Sequence, residues 1–153
     1  RPSSMFKVFS LFNLKDCLEC LRMKSIFTPM KNIMYIFLGG GIGSVLRYLF
    51  SLMIPSSSFP YATFVVNIIG SFMIGLFATM YSNQLTQNSG QQAMLLFLTT
   101  GLCGGFTTFS TFSKESVALL QQQQWGMCLL YVFLSVVLCL GGTALGVMIA
   151  LKN

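Results

Sequence analysis

Gly101-Leu-Cys-Gly-Gly-Phe-Thr-Thr-Phe-Ser-Thr-Phe112 sets a cluster of glycines and hydroxyls inside a long apolar segment. A bilayer supplies no water for exposed backbone groups, so non-helical backbone at that depth survives only inside protein or beside a hydrated ion path. The stretch therefore predicts a broken membrane helix with an ion site at the break.

Working outward, the whole chain has a membrane composition. Its 153 residues are 54% hydrophobic and 8% charged, too apolar for a soluble domain of this size. Spanning the hydrocarbon core takes about 20 mainly apolar residues. Four stretches qualify: Ile33–Ile54, Tyr61–Tyr81, Ala93–Phe112 and Trp125–Leu151. The connections between them are short and polar, the last running from Lys114 to Gln121–Gln124. The fold class is thus an all-α membrane protein of four transmembrane helices with a break in the third, and no soluble domain is left to house an active site.

The formal charge of +6 is concentrated in the first 31 residues rather than on a folded face, which argues against nucleic acid. The first two loops carry no Lys or Arg, so the charge bias that orients membrane helices is weak. A weakly biased chain can insert both ways, and opposed copies can pair about an axis in the membrane plane. Residues 1–30 differ in character from the rest of the chain and read as an N-terminal extension outside the functional core, with residues 31–153 as the transmembrane domain. Within the extension, Leu11, Leu14, Leu18 and Leu21 stand at the spacing of an interfacial amphipathic helix.

Catalysis lacks its usual players. Histidine is absent and the acids are Asp16, Glu19 and Glu115, so general acid–base chemistry is not indicated and the chain does not read as an enzyme. Proton-coupled antiport needs a carboxylate within the membrane, and none falls in the middle of a predicted span. Cys17-x-x-Cys20 has no histidine or second pair with which to complete a zinc site. Cys103, Cys128 and Cys139 lie within spans and read as small buried apolar residues.

The polar content of the spans is more specific. In the first, Gly39 and Gly43 share a helix face and predict close helix packing, while Arg47 is a candidate buried cation with a structural or vestibule role. In the second, Asn67 sits near the midplane, where an amide serves either a helix–helix hydrogen bond or a pore. In the third, Gly104-Gly105 and Thr107-Thr108 disfavour continuous helix and free carbonyls that suit a small cation. Phe109 and Phe112, three apart, share a face. Their positive ring edges tolerate an anion, and lipid or helix packing is the simpler use of the pair taken alone.

Three segments together, Gly39-Gly-Gly-Ile-Gly-Ser-Val-Leu-Arg47-Tyr48, Val66-Asn67-Ile-Ile-Gly70-Ser-Phe72-Met-Ile-Gly75 and Gly101–Phe112, resemble the CrcB/Fluc fluoride channel family in order and spacing, over about residues 34–151. The resemblance implies a dual-topology homodimer of antiparallel subunits in the bacterial cell membrane, with two fluoride pores and a central structural Na+. It implies passive export of fluoride from the cytoplasm. Carried onto this sequence, the sodium ligands are the backbone carbonyls of Gly104 and Thr107 from both subunits. The fluoride pore falls on Asn67, Phe109, Ser110, Thr111 and Phe112, with Tyr131 and Ser135 on the fourth span. Alternatives are a small four-helix multidrug or cation transporter, which lacks its first-span glutamate here, and a non-conducting assembly subunit, which leaves the Gly104–Phe112 break without a purpose.

Overall fold

The computed structural model describes residues 28–54, 58–82 and 89–152. Its described residues are helical throughout apart from turns and one internal break, and four stretches are long and apolar enough to cross a membrane: Met30–Met53, Tyr61–Tyr81, Gly90–Gln121 and Trp125–Ala150. The first, second and fourth spans are the continuous helices α1 (Thr28–Met53), α2 (Tyr61–Ser82) and α6 (Trp125–Ala150). α1 starts five residues ahead of Ile33, the start of the first span drawn from the sequence. The readings of Cys17, Cys20 and the leucine stripe lie outside the described residues.

The third span is composite. It runs through α3 (Ser89–Leu96), a π-helical segment (Phe97–Cys103), the short α4 (Gly104–Phe106) and, after the break, α5 (Phe109–Gln121). The π turn is a local unwinding of the kind that clusters near functional sites; here the Gly104 N–H is directed to both Gly101 O and Thr99 O. Continuity is lost only at Thr107 (φ −77°, ψ 158°) and Thr108 (φ −152°, ψ 113°), both extended.

This corrects the reading of Gly104-Gly105 as helix breakers, because both are helical. Gly105 serves proximity instead. A Cβ on it would strike the Gly40 carbonyl and come within 3.0 Å of Gly40 Cα; one on Gly101 would lie 2.9 Å from Gly39 Cα, and one on Gly43 2.8 Å from Phe106 N. Glycines from both helices thus bring the backbones of α1 and the first half of the third span into contact, the close packing predicted for Gly39 and Gly43.

A second correction concerns the end of the span. The sequence pattern ends it at Phe112 because Lys114 and Glu115 look like loop residues, whereas α5 continues to Gln121. The structure tolerates the charges because Lys114 is exposed and the Glu115 carboxylate is hydrogen-bonded from two neighbouring helices. The connection to α6 shrinks to Gln122–Gln124, with Gln123 in the left-handed region at φ 59°. So tight a turn makes α5 and α6 antiparallel neighbours.

α2 packs on α6 through a second set of small residues. A Cβ on Gly75 would strike the Thr143 carbonyl, and one on Gly146 would lie 2.7 Å from Leu76 N. Thr143 Oγ1 lies 3.0 Å from both Ser71 O and Cys139 O, tying the helices together. The most enclosed large side chains are Val66, Cys103 and Tyr131. Cys103 and Cys128 are buried and Cys139 is half-buried, all three as free thiols. Much of the remaining apolar surface faces outward, as a lipid-exposed bundle requires.

Candidate functional site

The break leaves two helix ends facing each other. Thr107 still completes the preceding turn, since its N–H and its hydroxyl both donate to Cys103 O at 2.9 Å. The Thr108 N–H, which in a continuous helix would donate to Gly104 O, donates instead to Asn67 Oδ1 at 2.8 Å. Asn67 Nδ2 donates in return to Thr108 O at 3.2 Å. One side-chain amide on α2 therefore replaces the hydrogen bonds lost by the extended residue, and one of its two N–H groups remains beyond that clasp. Both readings weighed for Asn67, helix–helix bond and pore donor, are compatible with this geometry.

Gly70, one turn further along α2, makes room for the Thr107 methyl, which an added Cβ would strike. From α1, half-buried Arg47 reaches the same place: its Nη1 donates to Thr107 O at 3.3 Å. Arg47 thus lies against the break. Gly104, the other expected cation ligand, is exposed on the face of the chain beside it.

The first turn of α5 opens on the other side of the break. Thr108 is its N-cap, with Oγ1 accepting from the Thr111 N–H at 3.2 Å. The same Oγ1 donates to Thr111 Oγ1 at 3.0 Å and lies 3.1 Å from Ser110 Oγ. A helix N-terminus carries partial positive charge and unsatisfied N–H groups, and so favours anions; a C-terminal end presents carbonyls, and so favours cations. The chain places one of each at the Thr107-Thr108 step, in the interior of a membrane span.

Phe109 is 79% exposed and tilted over Phe112, ring centroids 5.6 Å apart. Phe112 in turn lies 5.1 Å from the ring of Tyr131 on α6. Tyr131 is fully buried, also meeting Phe59 edge-on at 5.4 Å, and its hydroxyl donates to Glu115 Oε2 at 2.8 Å. Glu115 Oε1 accepts from Thr63 Oγ1 at 2.8 Å. One turn along α6, Ser135 is buried and its Oγ has no hydrogen-bond partner among the described residues. A cavity of about 510 Å³ at the end of α5, lined in part by Ser51, Phe59, Tyr61, Glu115 and Gln122, adjoins this cluster.

The structure therefore gathers Arg47, Asn67, Thr107, Ser110 and Thr111 around the break, and carries the line on through Phe109 and Phe112 to Tyr131. Sequence reasoning named Thr108 only as part of the break and gave its side chain no role, and it did not assign Thr63 or Glu115 to the site. The cap position of Thr108, a hydroxyl just ahead of a helical run, is a usable signal. Glu115 is easily discounted by its place near an assumed span end, although it follows Phe112 and Thr111 by three and four residues, on the same helix face. For Thr63 the one-dimensional pattern holds no signal.

A family model described as CrcB-like protein, Camphor Resistance (CrcB), matches residues 34–147. A Flavobacterium psychrophilum protein named fluoride-specific ion channel FluC is 52% identical over 124 residues, covering 79% of this chain and 98% of that protein. Proteins of the same name from Phocaeicola vulgatus and Shewanella frigidimarina are 48% identical over 121 residues and 44% identical over 120. The first covers 77% of this chain and 97% of that protein, the second 76% and 94%.

Proposed function

The chain belongs to the CrcB-like family, and we propose that it is a fluoride-specific channel, a multi-pass membrane protein that lets fluoride leave the cytoplasm passively. It is a channel rather than an enzyme. The observation that carries the reading is the break at Thr107-Thr108, which sets an anion-favouring helix N-terminus, two hydroxyls and an aromatic pair in the interior of a membrane span.

Fluoride is small and strongly hydrated, so a pore must replace its water with donors. The second N–H of Asn67, the hydroxyls of Ser110 and Thr111 and the edges of Phe109 and Phe112 supply them at the break. The Ser135 hydroxyl, without a partner among the described residues, extends the line of donors along α6, and Tyr131 lines it with its ring, which packs against Phe112. Glu115 accepts the hydrogen bond of the Tyr131 hydroxyl and holds that ring beside Phe112. None of these donors is a full positive charge, which suits an ion that must leave as readily as it enters.

The working unit in this reading is an antiparallel homodimer. Gly104, Phe109 and Ser110 are exposed on the single chain, and polar backbone at membrane depth needs protein to cover it. Four spans put Lys31 and Lys152 at one end and Lys114 towards the other, a bias small enough for both orientations. Arg1, Lys7, Lys15, Arg22 and Lys24, which precede Lys31 in the sequence, would add to that bias. Dual insertion is therefore expected of residues 31–153 acting without the extension.

A structural Na+ fits the same geometry as half a site per subunit. Gly104 O has its usual helical donor diverted to Asn67, and Thr107 O retains a lone pair beside its bond from Arg47. These two carbonyls, doubled by a second copy, would hold it, and when bound it supplies positive field beside the anion path.

The test is fluoride efflux from proteoliposomes holding the purified chain, read with a fluoride electrode beside a matched chloride experiment. Rapid fluoride loss without chloride loss is expected. No fluoride loss from folded, dimeric protein, with and without residues 1–30, would leave an assembly subunit as the better reading.

A further inference from the structure

Thr108 has its backbone held on both sides by Asn67, so its buried side chain is the movable part of the break. A hydroxyl carries one proton and two lone pairs. One lone pair of Thr108 Oγ1 takes the Thr111 N–H. Its single proton has two destinations, Thr111 Oγ1 at 3.0 Å and Ser110 Oγ at 3.1 Å.

These two arrangements have different consequences for the neighbours. With the proton on Thr111 Oγ1, the Ser110 hydroxyl is drawn back to donate to Thr108, and the Thr111 proton turns outward, strengthened by the bond its oxygen receives. With the proton on Ser110 Oγ, Ser110 becomes the outward, strengthened donor and Thr111 loses that support. The exchange moves no bond other than the rotation of O–H groups.

We propose that Thr108 is a positioning residue for the anion: its hydroxyl decides which of Ser110 and Thr111 acts as the polarised donor, and lets the ion pass from one to the other. The inference rests on the reading of Ser110 and Thr111 as fluoride donors. It gives a physical means by which a dehydrated anion is held by one strong donor at a time, so that neither site traps it.

A mere N-cap makes a different prediction, and Thr108→Asn separates the two. Asparagine caps as well as threonine, yet its amide donates in a fixed direction and cannot relay. The probe is sodium fluoride, with sodium chloride as the control at equal sodium, and the readouts are the fluoride concentration at half-maximal rise in melting temperature and the efflux rate. Thr108→Asn is expected to keep the ligand-free melting temperature while fluoride binding and efflux fall about tenfold, the worth of one hydrogen bond to an ion. Thr108→Ser is expected to restore both to within about threefold, well inside that bond's worth. Thr108→Val loses cap and relay and falls in all three.

Unchanged fluoride binding and efflux in Thr108→Asn would overturn the inference and leave Thr108 as a cap alone. Folded wild-type chain that neither binds nor passes fluoride would overturn the fluoride reading itself, and this inference with it.

Discussion

The two halves of the third span are held in place by opposite means. The half before the break lies against α1 through Gly39, Gly43, Gly101 and Gly105, where the contact is backbone on backbone and depends on side chains being absent. The half after it is held by side chains: Asn67 on Thr108, and Thr63 and Tyr131 on Glu115. The difference teaches that the carbonyl end of the break is fixed by shape and the amide end by hydrogen bonds. The first arrangement is rigid and intolerant of added atoms, the second directional and dependent on particular groups.

Damage to the first half is expected to remove fold and flux together. Gly43→Val forces atoms into the backbone of Leu102 and Phe106 and is expected to cost more than about 3 kcal/mol, since no flexible side chain can yield. Loss of the monodisperse peak in size-exclusion chromatography checks this. A well-folded Gly43→Val chain would break the comparison, because it would mean the helices can part without consequence.

Damage to the second half is expected to remove flux more completely than fold. Asn67→Ala strips the buried Thr108 N–H of its acceptor, at about 1–3 kcal/mol. The monodisperse peak in size-exclusion chromatography is expected to survive while fluoride efflux is lost. Glu115→Ala leaves the fully buried Tyr131 hydroxyl without its acceptor, a cost of about 1–2 kcal/mol. Its melting temperature is expected to fall, and Glu115→Gln, which keeps an acceptor oxygen, to recover most of the loss. If both Glu115 variants melt like the wild type, the hydrogen bonds to α2 and α6 do not hold this half in place.

The smallest effect sharpens the contrast from outside it. Gln123 holds a left-handed conformation in the turn after α5, so Gln123→Gly is expected to stabilise by about 1 kcal/mol without touching flux. A change in efflux with this variant would show that the turn, and not the break alone, sets the position of α5.

Much of this is legible in one dimension. The four spans follow from apolar length, and the tight approach of α1 to the third span follows from small residues four apart. The sequence places the break in the right dozen residues but credits it in part to the wrong ones. Glycine is flexible in isolation, yet here two helix backbones compete for the same space, and a glycine that permits contact is kept helical by it. The threonines open instead because Asn67, forty-one residues away, offers Thr108 a better partner than its own helix.

Apolar length, sparse charge and the order of three motifs determined by themselves that this is a four-helix membrane chain with a polar interruption in its third span. Those are local quantities, and each residue reports them alone. Only the tertiary structure decided that the interruption falls on Thr107 and Thr108 and not on the glycines, that Arg47 reaches it, and that Glu115 has Thr63 and Tyr131 around it. Each of these depends on a partner from another helix, and in a membrane the energy of a polar group is set by whether that partner is there.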